Sequence, residues 1–478
     1  MKFKMAETIK LPKRGASRFK YLRKHYPVFE YHTFSWKLSG NKLHLYFHFI
    51  CGDIVFKPKS IIKFPAIIKA EKVAHTRKAL IDNLVFSVGM IELISYWKAT
   101  CSPMIKVSCG KLTKPQIKWW KHLYFHGLGE MFYLNGINTN DADFVNIECA
   151  DVPRFKLNKK FKPKENKLLV PIGGGKDSLA SIDLLTKLRD EKYYLLMNPT
   201  KAAKDAAKAA IKRQLGYTVF IKRSIEKKLL TLNAKGYLNG HTPFSAMLAF
   251  YTTLVSVVAD TKYSCLSNES SANEPTIIGT EINHQYSKTI DFEKNYNTYL
   301  KRYISPHFEY LSLLRPLNEF QIVKVFSQNK DNLSIFKSCN VGSKKDKWCC
   351  NCSKCLFVSI LLSAHIGIAR TNKVFGESLL NKKTLKKEFL ELVGQATTKP
   401  FECIGTIDEI RVAITLIKKQ QPALFKEQFL LKLFGRNYPE TFASTEEIEK
   451  IESTFYKGHR LNKKFKKLVY EGYEEASH

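Results

Sequence analysis

The feature that most constrains this chain is the run Gly173-Gly174-Gly175-Lys176-Asp177-Ser178, which joins a short apolar segment, Leu168–Ile172, to a helical stretch, Ser178–Asp190. An apolar run this short, ended by glycines, reads as a buried strand. Three successive glycines remove every Cβ that would hold backbone N–H groups away from an anion. The helix beyond them points its positive end at the same spot. The segment therefore reads as a phosphate site. Lys176 is followed by Asp177 rather than Ser or Thr, and the glycine spacing fits neither a Walker A loop nor GxGxxG.

The segments beyond this loop repeat its alternation of strand and helix. Tyr193–Met197 reads as a second strand, and Thr200 as the N-cap of an Ala-rich helix ending near Gly216. Tyr217–Lys222 is a third strand, Phe244–Ala259 a buried helix and Tyr263–Ser267 a fourth strand. Such alternation predicts an α/β fold with a parallel sheet covered by helices on both faces. Ligands of these sheets bind beyond the carboxyl ends of the strands.

Residues 1–165 read as an N-terminal α/β domain, 166–365 as the phosphate-binding catalytic domain with a cysteine cluster, and 366–478 as a helical C-terminal region. In the first, Phe34, Trp36 and Leu38 alternate, as do Leu43, Leu45, Phe47 and Phe49, and Ser39-Gly40-Asn41-Lys42 turns between them. Helices are expected over Arg77–Lys98 and Lys114–Leu134, and a linker over Asn158–Lys167. In the last, Ile407–Gln420 reads as a helix, and Ser444 with Glu447 forms a capping box.

Lys and Arg number 78 against 43 Asp and Glu, a net charge of +35. The lysines are spread along the chain, and no stretch interleaves basic with aromatic residues. They read as a solvated surface rather than a nucleic-acid footprint, although nucleic acid is not excluded. The apolar runs Phe244–Ala259 and Cys355–Ala369 fall short of the roughly 20 residues that span a bilayer. The N-terminal MKFKMAETIK lacks an apolar signal core, so a cytoplasmic protein without membrane insertion is expected. Oligomeric state leaves no mark in the sequence.

Eleven cysteines in a chain this long do not make a disulfide scaffold. Cys51, Cys101, Cys109, Cys149, Cys265 and Cys403 are scattered and read as small buried apolar residues. The other five lie between Cys339 and Cys355. Cys349, Cys352 and Cys355 make two consecutive C-x-x-C steps, and Cys339 closes a tetrahedral set for a structural Zn²⁺. Cys350 is left over, or else replaces Cys349. An iron–sulfur cluster is the main rival, with redox thiols behind it.

The glycine loop resembles the SGGxDS loop of PP-loop ATP pyrophosphatases, with Gly173 in place of the first Ser. The order of loop and cysteines is similar to that of PP-loop deazaguanine synthases. A more specific likeness lies in Asn239–Ala246 (NGHTPFSA), Ser267–Glu274 (SNESSANE), Glu281–Lys288 (EINHQYSK), Arg315-Pro316-Leu317 and WCCNCSKCLFV. The shorter strings Ser95–Lys98, Gly127–Glu130 and Phe401-Glu402-Cys403 go with them. Together these resemble the UDP-N-acetylmuramoyl-L-alanyl-L-glutamate epimerase family over most of the chain.

That resemblance implies a PP-loop fold and inversion of the terminal L-glutamate of a UDP-muramoyl dipeptide, with ATP and Mg²⁺, in peptidoglycan precursor synthesis. By the same likeness Gly173, Gly174, Gly175 and Lys176 cradle pyrophosphate, Asp177 helps hold Mg²⁺ and Ser178 contacts phosphate. Inversion needs proton donors or bases near both faces of Cα. His241 and His284 are the catalytic candidates, with Glu269, Glu274 and Glu281 behind them. Asn268, Lys288 and Arg315 are the substrate-binding candidates, the two cations suited to pyrophosphate or substrate anions. A PP-loop enzyme modifying tRNA or a nucleobase, or a non-catalytic basic binding protein, would share the loop or the charge but not the Ser267–Glu274 and Glu281–Lys288 strings.

Overall fold

The computed structural model describes residues 11–214, 216–277, 282–396 and 399–477. Its strands are β1 (Val28–Ser39), β2 (Lys42–Cys51), β3 (Ile54–Phe56), β4 (Lys59–Lys63), β5 (Met104–Val107), β6 (Asn146–Cys149), β7 (Lys164–Pro171), β8 (Glu191–Met197), β9 (Gly216–Ser224), β10 (Thr261–Leu266) and β11 (Glu309–Ser312). All belong to one sheet, in the order β11-β10-β7-β8-β9-β4-β2-β1-β5-β6, with β3 beside β2.

The sheet as a whole is mixed, because the parallel part that the βαβ rhythm predicts is continuous with the N-terminal strands. Strands β9, β8, β7, β10 and β11 are mutually parallel. The N-terminal hairpin joins them through an antiparallel β4–β9 ladder in which Ile62 faces Ile221. The sheet thus runs unbroken from the first strand to the last. The reason is local to β4: Ser60 and Ile62 are buried between exposed Lys59 and Lys63, and its edge is completed by β9 rather than left to solvent. Across this junction Arg223 makes a two-pronged ion pair with Glu92 at 2.6 and 2.8 Å, and Tyr251 donates to the same carboxylate at 2.9 Å.

The hairpin turns as expected, with Ser39 opposite Lys42 and Gly40 at φ +53°. The expected linker is partly strand: β7 begins at Lys164, whose N–H donates to the Asp260 carbonyl at 3.2 Å. Helix Phe244–Ala259 has the bounds its apolar run predicts, and Thr200 caps Lys201–Arg213 by accepting from Ala203 N–H at 3.2 Å. Lys114–Leu134 divides into Lys114–Gly127 and Gly129–Leu134. The Ser444 capping box is formed in both directions. Helix Lys78–Trp97 has the length and apolarity of a membrane span, but 89% of that window is buried within the fold, where it packs on helix Phe244–Ala259 and β1.

Candidate active site and metal centre

β7 leads the chain into the parallel part of the sheet. From it β8 and β9 succeed on one side, and β10 and β11 on the other. The strand order reverses between β7 and β10, the crevice where open parallel sheets bind ligands. The glycine run leaves β7 at that point. Gly174 has φ +82°, and a Cβ there would lie 2.4 Å from the Ala203 nitrogen, so the loop is pressed against the start of helix Lys201–Arg213. At Gly173 a Cβ would meet nothing within 4 Å, so this face is open. Ser178 Oγ accepts from Gly174 N–H at 3.1 Å and donates to the Gly175 carbonyl at 3.0 Å, fixing the turn.

A cleft of about 310 Å³ opens above the loop, lined by Gly173, Gly175, Asp177, Ser178, Asn268 and Lys354 among others. Asn268 donates to Ser312 Oγ at 3.1 Å. Lys176, by contrast, turns its side chain inward. It is 1% exposed and ion-paired to both Asp177 and Glu319. Burial works against the Lys176 charge, but Asp177 and Glu319 more than offset it and raise its pKa. Burial pushes the Glu319 carboxyl up, against the pull of Lys176. Asp177 feels the same burial, but Lys176, Lys354 and Lys288 hold its pKa low, leaving an ionised carboxylate at the cleft. The lysine expected to cradle phosphate therefore braces the aspartate, and its contribution to the loop is its backbone.

Arg315 is likewise internal. It is 0% exposed and donates to the carbonyls of Glu269 and Lys288 and, at 3.2 Å, to Ser312 Oγ, with Glu293 at 3.5 Å. It ties together the two segments that carry Glu269 and Lys288. Glu274 is paired with Lys399, and Glu281 lies outside the described residues.

Near the cleft a polar cluster gathers side chains from segments far apart in sequence. The rings of His241 and His284 pack edge to face with centroids 6.1 Å apart. His284 Nδ1 is 2.9 Å from Thr276 Oγ1, and its buried Nε2 has no hydrogen-bond partner among the described residues. Burial, reinforced by His284, Lys98 and Lys288, pushes His241 down to about 4. Burial with Lys288 does the same to His284. The Glu130 carboxylate, 3.9 Å from His241 Nδ1, would favour the charged ring, but Glu130 is itself pushed up to about 7 by burial and by Glu402 and Cys403. Both histidines are therefore neutral near pH 7, the form that accepts a proton. Lys98 donates to the carbonyl of Gly240, the residue before His241, at 2.6 Å.

Sequence reasoning missed Lys98, Glu130, Lys354 and Cys403. Cys403, expected to be a buried apolar residue, lies where Lys288 and Lys354 favour its thiolate against burial. Their only sequence signal is that Lys98, Glu130 and Cys403 fall in the shorter strings of family likeness, and Lys354 in WCCNCSKCLFV.

The Sγ atoms of Cys339, Cys349, Cys352 and Cys355 lie within 4.8 Å of one another, with Cys349 and Cys355 3.7 Å apart. Four sulfurs about 2.3 Å from a single tetrahedral ion stand about 3.8 Å apart, so the cluster has the dimensions of one metal ion and is compatible with zinc. Cys350 points away, its thiol 3.6 Å from the Phe375 carbonyl, so it is Cys349 whose sulfur joins this cluster. The cluster is fastened to the glycine loop: Lys337 N–H donates to the Gly174 carbonyl at 3.0 Å, and Ser338 Oγ accepts from Lys176 N–H at 3.2 Å.

Fold and site together define an α/β protein with an open glycine loop at the switch point of its sheet and a four-cysteine cluster, able to hold one metal ion, fastened to that loop. Residues 20–313 match the MurL N-terminal domain and residues 334–449 the MurL C-terminal domain. The chain belongs to the MurL family. It is 30% identical over 360 residues to the UDP-N-acetyl-alpha-D-muramoyl-L-alanyl-L-glutamate epimerase of Xanthomonas oryzae pv. oryzae, covering 73% of this chain and 77% of that protein. It is similarly related to proteins of the same name from Micromonospora sp. (29%, 73% and 78%) and Salinispora tropica (30%, 72% and 75%). No solved structure matches the chain.

Proposed function

We propose that this protein inverts the terminal L-glutamate of UDP-N-acetylmuramoyl-L-Ala-L-Glu to D-glutamate, an isomerase reaction in peptidoglycan precursor synthesis driven by ATP. The names of its relatives support the substrate. The glycine loop supports a PP-loop mode of ATP use, with Gly173–Ser178 gripping the departing pyrophosphate and Asp177 and the phosphates sharing Mg²⁺. The observation that carries the reading is the continuity of the two halves of the site. Lys288 and Lys354 act on Asp177 at the glycine loop and also on His284 in the polar cluster.

The chemistry needs both halves. Removing the α-proton of a carboxylate piles a second negative charge beside the first. Joining the carboxylate to AMP as a mixed anhydride removes the first charge, so the α-proton becomes labile. Loss of that proton gives a planar carbanion, reprotonation on its other face inverts the centre, and hydrolysis then frees AMP. Neutral imidazoles at His241 and His284 suit proton removal, with Glu269 beside them. Asn268 and Lys288 suit the substrate's polar and anionic groups, while Arg315 orders the segments that carry them. The four cysteines would hold a structural Zn²⁺, a closed sulfur set leaving no coordination position for water. A cytoplasmic location accords with a nucleotide-linked substrate, and the segment 166–365 carries the nucleotide chemistry.

The test is incubation with ATP, Mg²⁺ and the L-Ala-L-Glu substrate in deuterated water. AMP, pyrophosphate and a D-glutamyl product with deuterium at Cα are expected. AMP formation only with RNA or a deazaguanine would overturn the reading in favour of a nucleic-acid-modifying enzyme.

A further inference from the structure

A second cavity, of about 640 Å³, is built mostly by the segment from Phe125 to Thr139. Phe125 and Phe132 line it with ring centroids 5.9 Å apart, together with Ile137. Helix Gly129–Leu134 ends at Asn135, and Gly136, at φ +60°, reverses the chain so that the Ile137 N–H donates to the Phe132 carbonyl at 2.9 Å. A left-handed glycine just past a helix end permits such a reversal. The turn returns Asn138 and Thr139 to the cavity as polar lining, and Tyr133, 44% exposed, forms a further wall.

Contacts on two sides tie this cavity to the histidines. Gly129 lies against Ile282, where a Cβ would stand 3.7 Å from Ile282 Cγ2, and both line the cavity. Thr276 holds Ile282 and His284 together. Its N–H donates to the Ile282 carbonyl at 2.9 Å, and its hydroxyl is 2.9 Å from His284 Nδ1. On the other side Tyr133 packs against Phe401 with ring centroids 5.7 Å apart, and Phe401 against His284 at 6.2 Å.

We propose that this cavity binds the sugar of the substrate, the N-acetylmuramoyl ring, with Tyr133 against a C–H face of the pyranose. The proposal rests on the epimerase reading and deepens it. With the glutamate Cα at His241 and His284, the dipeptide reaches at most about 7 Å from it. The acyl group that joins peptide to sugar then begins one ring away from His284, where Phe401 leads on to Tyr133. The nucleoside, two phosphates farther on, is carried past the rim. A pyranose presents C–H faces to aromatic rings and hydroxyl and acetamide groups to polar side chains, and a mostly apolar cavity with a few placed polar groups suits it. Among the described residues no lysine, arginine or carboxylate lines the cavity, so it favours an uncharged group over the diphosphate.

The test uses full-length Tyr133→Ala and Tyr133→Phe enzymes beside wild type, with ATP and the UDP-muramoyl dipeptide. Tyr133→Ala is expected to raise KM for the dipeptide about tenfold, with kcat and the KM for ATP unchanged, and Tyr133→Phe to stay near wild type. Saturation-transfer NMR on the same dipeptide without ATP should show the muramoyl ring and acetyl protons losing contact in Tyr133→Ala, and the uracil protons keeping theirs. An unchanged KM would overturn the assignment. So would a fall in kcat alone, which would make Tyr133 only a support for Phe401, or a loss of contact at the uracil instead of the sugar. A wild-type enzyme that inverts neither epimer would overturn the epimerase reading and this assignment with it.

Discussion

Ser338 Oγ accepts a hydrogen bond from the Lys176 backbone N–H at 3.2 Å. Ser338 immediately precedes Cys339, so the first cysteine of the cluster and the start of the phosphate-loop helix are joined by one hydrogen bond, which spans 162 positions of sequence. A metal ion at the four cysteines would then do more than stabilise its own loop.

Metal removal should therefore weaken nucleotide binding. Zinc is expected at one ion per chain by elemental analysis. Stripping it with a chelator, or replacing Cys352 with Ser, should raise the Kd for Mg²⁺-ATP at least about tenfold, a loss of about 1.4 kcal/mol. Titration calorimetry reads this directly. Unchanged affinity in metal-free protein would separate the two sites.

The buried ion cluster at Lys176 gives a stability prediction. Lys176→Met leaves Asp177 and Glu319 facing each other without a cation, and removing one partner of a buried pair costs about 3–5 kcal/mol. Adding Glu319→Gln should recover part of that loss. Denaturant unfolding distinguishes this from a lysine engaged only with phosphate, whose loss would leave the free protein's stability unchanged. Asp177→Ala should abolish AMP formation.

Gly174 and Gly173 should respond differently to the same change. Gly174→Ala forces a Cβ into the backbone at Ala202 and Ala203 and strains a positive φ. A cost of about 1–3 kcal/mol is expected. Gly173→Ala places its methyl in open space and should leave the melting temperature nearly unchanged. Equal destabilisation of the two variants would contradict the packing described for this loop.

The histidines set an acid limit. His241, His284 and His365 are each pushed down to about 4, in every case chiefly by burial. Their ordinary value is 6.5, so between about 6.5 and 4 the unfolded chain binds more protons than the folded one. Stability is then fully present above about pH 6.5 and is lost as pH falls through that window. Unfolding at about pH 5 should take up close to one proton per ring, and His365→Gln should flatten the slope by its share.

The local features of this protein were legible in the sequence because their physics is local. Three glycines between an apolar run and a helix mark the turn from β7 into the next helix, Thr200 and Ser444 announce helix starts through their own hydroxyls, and Phe244–Ala259 declares its burial by composition. The cysteine spacing confined the metal set to two alternatives. Choosing Cys349 over Cys350 took the three-dimensional turn, in which Cys350 adopts φ +52° and turns its thiol toward Phe375. Tertiary structure also decided that β4 pairs with β9, making one mixed sheet from segments that each read as α/β. It sent Lys176 and Arg315 inward, where their charges are met by buried carboxylates and carbonyls, and it packed Tyr133 against Phe401, far away in sequence. A side chain's type is fixed by the sequence, but its role depends on which distant group offsets the cost of burying it, and only the folded chain brings that group within reach.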